Sequence, residues 1–382
     1  MSVQWVIKAS KLCNLRCQYC YEFPHLADAR RLEVGMLEAF FRHVAQHYAG
    51  VEQEQEFVWH GGEPLLLGQA YFEAAFELQR RYLVPAGIKW SNSIQTNLTS
   101  LDDERIALLK RFANVGVSLD VIGGLRVNAA GRDSQDKVLE CMQRLFKEGI
   151  DFGCIAVLSR ANVGRVAQLH TFFSRLGLSY RLLPIYRTGY PGQHDAMGIR
   201  PEQILEAYKT VFDLWCEDPV EIQIRPIEDF VTAAVRRMMG AGYRRNRYIK
   251  KPAESLFIVD TDGGLYSNAD AYMDSMCYGN ITTAPLSALL ESQGYRKTRR
   301  EREDRSQGAC AHCSWHGACS GFYISEATPE QRWVGTSGKL QCLVVRPMLD
   351  YVWSALTSDG SIMRAVRSRI NLRKKLSEAA QY

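Results

Sequence analysis

Through the first two hundred residues, short stretches that alternate apolar and polar positions are each followed by a longer segment with apolar residues three and four apart. Alternation marks half-buried strands, and the three-to-four spacing marks amphipathic helices. Val3 to Ala9 reads as a first strand. Leu32 to Tyr48 reads as a helix with Leu37, Phe40, Phe41 and Val44 on one face, and Glu56 to His60 as a second strand ending in Gly61-Gly62-Glu63-Pro64. Tyr71 to Tyr82 is the next helix, Trp90 to Thr96 the third strand, and Asp102 to Phe112 a helix with Asp at its start as a cap. Asn114 to Asp120, Phe152 to Leu158 and Tyr180 to Ile185 are further strands, separated by helices over Gln135 to Phe146 and Val163 to Leu176.

Strands that alternate with helices predict an α/β fold with a parallel sheet, here an open barrel of β/α units. Such a barrel gathers its ligands at the C-terminal ends of its strands. Thr96, Asn97, Ser118 and Asp120 lie at such ends, although each taken singly could be a helix cap. Beyond the sixth strand, a Gly- and Pro-rich loop over Pro184 to Gly198 leads to helices over Pro201 to Glu217 and Ile227 to Met239. A basic stretch around Arg244-Arg245-Asn246-Arg247 marks the domain boundary, and Phe257 to Tyr266 reads as a hairpin turning at Asp262-Gly263. The expected organisation is a barrel over 1–225, a helical and basic linker over 226–250, a cysteine-rich α+β extension over 251–345 and a helical tail over 346–382. In the tail, Leu349, Val352, Trp353 and Leu356 are spaced to pack back onto the body.

Composition narrows the class. A hydrophobic share of 46% with 23% charged residues is that of an ordinary globular protein, which excludes a disordered chain. A net charge of +5 over 382 residues is too small to argue for nucleic acid. The basic runs at Arg296 to Arg302 and Arg364 to Lys375 contain or border acidic residues, as solvated helix faces do, or they offer a docking surface to an acidic partner. No segment reaches the ~18 uninterrupted apolar residues of a membrane span, and the first residues do not form a signal peptide. A cytoplasmic protein is expected. There, eleven cysteines at patterned spacings favour metal ligation over disulfides.

Two cysteine groups carry the chemistry. Cys13, Cys17 and Cys20 follow the first strand at offsets of four and three, with Tyr19 just before the last. A cubane iron–sulfur cluster needs four ligands, so three thiolates leave one iron open to bind a substrate directly. A partial zinc knuckle or buried free thiols are the plainer alternatives. Late in the chain, Cys310, Cys313, Cys319 and Cys342 can close a complete coordination shell around zinc or around a second cluster, with His312 and His316 nearby and Cys277 upstream.

Cys13, Cys17, Cys20 and Tyr19 resemble the signature of the radical S-adenosylmethionine (SAM) superfamily. The resemblance implies a partial (β/α)6 barrel with a lateral opening, a 4Fe-4S cluster on the three cysteines, and SAM chelated at the open iron beside Tyr19. It implies that one electron from the cluster cleaves SAM to methionine and a 5′-deoxyadenosyl radical. Gly61, Gly62, Glu63 and Pro64 match the family segment that lies against the SAM amino group. The strand ends Gln95-Thr96-Asn97 and Ser118-Leu119-Asp120 match those beside its ribose and methionine portions. Arg126 or Arg132 matches the region that supplies an arginine near the SAM carboxylate, with Arg132 taken as the candidate. Many relatives have Gly where this chain has Val121.

The C-terminal region resembles the SPASM extension of peptide-modifying radical SAM enzymes, which usually carries two auxiliary 4Fe-4S clusters. Three cysteines expected in that pattern are replaced by Asn268, Ala284 and Tyr323. The nearer auxiliary cluster is therefore expected to be missing, with Cys277 as a remnant, and the farther one complete on Cys310, Cys313, Cys319 and Cys342. The implied activity is a peptide maturase that abstracts hydrogen from a ribosomally made precursor peptide and forms a carbon–carbon or thioether crosslink. The alternatives are a formylglycine-generating sulfatase maturase or a radical SAM dehydrogenase of a small molecule. Expected partners are the peptide and a reductant such as flavodoxin or ferredoxin. With the motif starting at residue 13, leader recognition falls to the extension, the tail or a separate protein. Asp270, Asp274, Tyr186 and His194 are the candidate proton-transfer residues.

Overall fold

A computed structural model describes residues 2–185, 196–240, 254–267, 274–327, 332–336, 338–358 and 360–369. In chain order the strands are β1 (Ser2–Ser10), β2 (Glu54–Gly61), β3 (Trp90–Thr96), β4 (Asn114–Ser118), β5 (Phe152–Leu158), β6 (Tyr180–Pro184), β7 (Ile224–Arg225), β8 (Leu256–Val259) and β9 (Leu265–Tyr266). The main helices are α1 (Val34–Tyr48), α2 (Gln69–Leu83), α3 (Asp103–Leu109), α4 (Gln135–Lys147), α5 (Val166–Arg175), α6 (Pro201–Glu217), α7 (Ile227–Met238), α8 (Gln293–Cys310) and α9 (Val345–Ser358). The alternation read from the sequence is present, with β7 as an additional strand too short to leave a periodic signal. The chain forms two compact units. One comprises Met1–Ser118, Gly124–Phe152 and Ile249–Glu301, and the other Leu119–Gly123, Gly153–Tyr248 and Arg302–Tyr382.

In the first unit the strands run in the order β4-β3-β2-β1-β8-β9, all parallel except β9, which is antiparallel to β8. Residues of one parity cover one face. Val3, Trp5, Ile7 and Ala9 of β1 are buried, and the Trp5 ring meets Phe40 of α1 edge-on at 5.3 Å. Phe57 and Trp59 of β2 pack in the same way on Phe41 and Phe72, at 5.2 and 5.3 Å. Residues of the other parity are mostly polar, with Val6 and Val58 among them. Gln4 Nε2 donates to Glu56 Oε2 at 2.8 Å, Ser93 Oγ to Glu56 Oε1 at 3.0 Å, and Asn114 Nδ2 to Ser93 Oγ at 3.2 Å. A parallel sheet covered on both faces has apolar residues on both. A polar second face marks the side that receives a ligand.

The compact units do not follow the boundaries read from the sequence. The hairpin assigned there to the extension continues the sheet instead, with β8 paired to β1 from Gln4↔Leu256 to Ile7↔Val259. The reason is packing: β8 reads Leu-Phe-Ile-Val, and Phe257 stacks on Trp5 at 4.7 Å. Covering β1 also satisfies what would otherwise be an exposed edge. Thr261 Oγ1 donates to the carbonyl of Lys8, and Lys11 pairs with Asp260, both just before the first cysteine loop.

In the second unit β5, β6 and β7 are parallel in that order. Tyr180 of β6 stacks on Phe173 of α5 at 4.7 Å, while His170 lies between Tyr180 and Asp218, 2.9 Å from each. The expected tail begins as α9, where Leu349, Val352 and Leu356 are buried and Trp353 is half-buried under the guanidinium of Arg237. The fold class is α/β with parallel strands, and neither strand set closes on itself. Among the described residues no helix is long and apolar enough to cross a membrane.

Candidate active site

The first cysteine loop leaves β1 and is pinned by backbone bonds along its length. Cys13 N donates to Leu26 O at 3.0 Å, Arg16 N to Val127 O at 2.6 Å, Gln18 N to Leu125 O at 3.0 Å, and Cys20 N to Cys17 O at 3.0 Å. Cys13 Sγ accepts from Leu15 N at 3.4 Å and from Asn97 Nδ2 at 3.6 Å. Burial pushes the Cys13 thiol up to about 11, with Glu63 and Cys17 adding to the shift, and the Cys20 thiol up to about 12, with Cys17, Glu22 and Cys13 adding. As free thiols they would stay protonated at neutral pH. Coordination to a cation is what deprotonates such groups, so three thiols on one short loop, Cys17 buried and Cys13 and Cys20 half-buried with N–H donors on their sulfurs, fit a cluster better than a reactive or redox role.

Gly61 and Gly62 have a definite job. Gly61 adopts φ +126, where a Cβ would lie 2.1 Å from Ser10 O, and a Cβ on Gly62 would lie 2.2 Å from Leu12 O. Gly62 N donates to Ser10 O and Glu63 N to Leu12 O, both at 2.9 Å. The backbone these glycines admit is the chain's own, which locks the end of β2 to the start of the cysteine loop. Pro64 then opens a single 3-10 turn over Pro64–Leu67.

Glu63 is buried and its carboxylate accepts from Leu65 N at 3.0 Å, Thr96 Oγ1 at 2.7 Å and Asn97 N at 2.6 Å. Burial pushes its pKa up, and the three bonds and Arg126 oppose that. Glu63 therefore brackets the end of β3. Asn97 is held on both sides, its Nδ2 also donating to Asn14 Oδ1 at 2.8 Å while Thr99 Oγ1 donates to Asn97 Oδ1 at 2.7 Å. Ser118 Oγ accepts from Gln95 Nε2 at 2.9 Å. Asp120 belongs to the second unit, where its carboxylate accepts from Val157 N at 2.8 Å.

The structure separates the two candidate arginines. Arg126 donates to Tyr19 Oη at 2.7 Å and its charge reaches both Cys13 and Glu63. Arg132 is exposed, in a turn where its backbone N–H bonds Asn128. Arg126, not Arg132, shares the cysteine loop's surroundings. Among the proton-transfer candidates, Asp274 is exposed at the start of a 3-10 turn, and Tyr186, His194 and Asp270 lie outside the described residues.

In the second unit, Cys310 ends α8, and Cys313 N and His316 N form successive turns onto Cys310 O and Cys313 O, each at 3.0 Å. Cys319 N donates to Trp315 O at 2.9 Å, and Gly321 N to Cys319 Sγ at 3.4 Å. Cys342 accepts from Val345 N and Arg346 N, at the start of α9. Burial pushes Cys310 up to about 12, with the charges of Cys319, Cys342 and Cys313 each adding to the shift, so the four thiols lie within electrostatic reach of one another. His316 Nδ1 bonds Cys310 O at 2.8 Å and His312 is exposed, which leaves a four-cysteine donor set. Four thiolates match a cluster or structural zinc by chemistry alone. Cys277, in the first unit, packs with Ile258, Tyr266 and Val6 and lies 3.6 Å from Gly279 O, as a structural thiol does. Ala284 sits in a turn onto Asn280, Tyr323 stacks on Phe230, and Asn268 lies outside the described residues.

Sequence reasoning missed one group beside the first loop. Lys8, Tyr21, Glu22 and His60 meet on the polar face of β1 and β2. Burial, with the charge of Lys8, pushes the His60 imidazole down to about 3, so it is neutral. The available signal was a lysine near the end of a strand that carries no other charge.

Comparison with known proteins agrees with this geometry. Residues 7–172 match the model of the radical SAM superfamily. The serine-type anaerobic sulfatase-maturating enzyme of Klebsiella pneumoniae is 32% identical over 344 residues, covering 81% of this chain and 83% of the relative. The cysteine-type enzyme of Clostridium perfringens (strain 13 / Type A) is 26% identical over 334 residues, covering 82% and 86%. Among solved structures, anSMEcpe with bound AdoMet superposes with a TM-score of 0.75 at 21% identity, covering 99% of this chain and 98% of that one.

Proposed function

The chain belongs to the radical SAM superfamily, and from that premise we propose that it oxidises a serine or cysteine side chain of a protein substrate to an aldehyde, as in anaerobic sulfatase maturation. The observation that carries this reading is the similarity to the Klebsiella maturase, which covers 81% of this chain and so reaches well beyond the residues 7–172 that match the superfamily model. It replaces peptide crosslinking as the first choice.

In this reading Cys13, Cys17 and Cys20 hold one 4Fe-4S cluster and Cys310, Cys313, Cys319 and Cys342 an auxiliary one. With SAM bound, the first supplies one-electron cleavage of SAM and abstraction of a substrate hydrogen. The chain's own contribution is placement. Glu63 fixes the backbone at Asn97, Asn97 directs an N–H at the Cys13 sulfur, and Gly61 and Gly62 let β2 close against the loop. Tyr19 accepts from Arg126, whose guanidinium would receive the SAM carboxylate. A flavodoxin or ferredoxin supplies the electron.

Crosslinking of a precursor peptide is the second reading. Ala284 and Tyr323 favour it, because sulfatase maturases have cysteines at those places and an acidic residue just after the first of them, where this chain has Pro285. The experiment incubates the reconstituted protein with SAM, dithionite and a sulfatase-derived peptide carrying Ser or Cys. Formation of 5′-deoxyadenosine together with a peptide aldehyde supports maturation. 5′-Deoxyadenosine without any aldehyde on either peptide overturns it in favour of the second reading.

A further inference from the structure

Lys8 lies near the C-terminal end of β1, and its ammonium is buried, with its side chain 2% exposed, as is the side chain of its partner Glu22, also 2%. Lys8 Nζ lies 3.1 Å from Glu22 Oε1, and it also donates to Tyr21 Oη. Tyr21 and Glu22 are the two residues that follow Cys20. Glu22 N donates to the Cys20 sulfur, and Phe23 N closes a turn onto Cys20 O at 3.1 Å. Lys8 is in register with His60 of β2, just before an irregularity in the pairing, and its carbonyl accepts from Thr261.

A buried ion pair is a poor way to gain stability, because desolvation of both charges consumes most of the Coulombic gain and an apolar pair of similar volume is often as stable. A charge pair beside an iron–sulfur site has another consequence. Cluster potentials respond to local net charge and to hydrogen bonds on the sulfurs. A lone carboxylate two residues after a ligating cysteine would disfavour the added electron, and a lone ammonium would favour it.

We propose that Lys8 is a positioning residue for the N-terminal cysteine site: by gripping Tyr21 and Glu22 it fixes the end of the cysteine loop, and by balancing Glu22 it sets the reduction potential of the group that Cys13, Cys17 and Cys20 hold. This rests on those three cysteines binding a cluster and on nothing about the substrate.

The test is a potentiometric titration, followed by EPR, of the full-length reconstituted protein and of Lys8→Met, Glu22→Gln and the double variant. The relevant signal is the one lost in a Cys13, Cys17, Cys20→Ala triple variant. Its midpoint should fall in Lys8→Met, rise in Glu22→Gln and return close to wild type in the double, while the other cluster's midpoint stays put. Equal midpoints in all four proteins, or shifts of the same sign in both single variants, overturn the proposal. Should Lys8→Met fail to fold around its unpaired carboxylate, Glu22→Gln and the charge-neutral double still decide, by a rise in the first that the second cancels. Wild-type protein that loads no iron at the first loop would instead defeat the functional reading itself.

Discussion

Glu63 Oε2 and the backbone nitrogen of Asn97 lie 2.6 Å apart, joining the end of β2 to the end of β3 beside Cys13. Thr96 Oγ1 and Leu65 N share the same carboxylate. Removing it strands three donors in a buried place, at ~1–3 kcal/mol for each left unsatisfied. Glu63→Ala should lower the unfolding free energy of the apoprotein by about 3 kcal/mol or more, read by urea titration. Glu63→Gln keeps the shape and should cost about 1–2 kcal/mol.

Arg126 and Arg132 are six residues apart and differ completely in placement. A charge-assisted hydrogen bond contributes about 1.5–3 kcal/mol, which corresponds to roughly 10- to 100-fold in affinity. Arg126→Gln should weaken SAM binding by that factor in anaerobic equilibrium dialysis. Arg132→Gln should leave it unchanged.

At the C-terminal site, His316 bonds a backbone carbonyl and the four thiols are within electrostatic reach of one another. Cys310→Ala should therefore remove about four irons from the reconstituted protein and leave the first cluster's EPR signal intact. His316→Ala should keep the iron content of wild type. Zinc in place of the missing iron would make this site structural.

Val121 has φ +63, a left-handed conformation that is a genuine outlier for a β-branched residue. The strain is about 1–2 kcal/mol, and glycine gives back about 0.5–1 kcal/mol through its freer unfolded chain. Val121→Gly should be neutral to stabilising by up to about 1 kcal/mol, seen as a higher urea midpoint at unchanged slope. This conformation also accounts for the glycine that many relatives carry there.

The sequence by itself determined what is local. The offsets of Cys13, Cys17 and Cys20, the Gly-Gly pair at the end of β2 and the alternation that buries Val3, Trp5 and Ile7 all lie within a few residues of one another, so spacing alone exposes them. Only the tertiary structure decided what depends on contacts between distant segments. β8 joins β1 across some 250 residues because its apolar side chains complete the packing around Trp5. Arg126 lies beside the cysteine loop, bonded to Tyr19, while Arg132 is exposed in a turn. Lys8 meets Glu22 because the chain turns back after Cys20, and a buried charge is tolerated only where the fold brings it a partner.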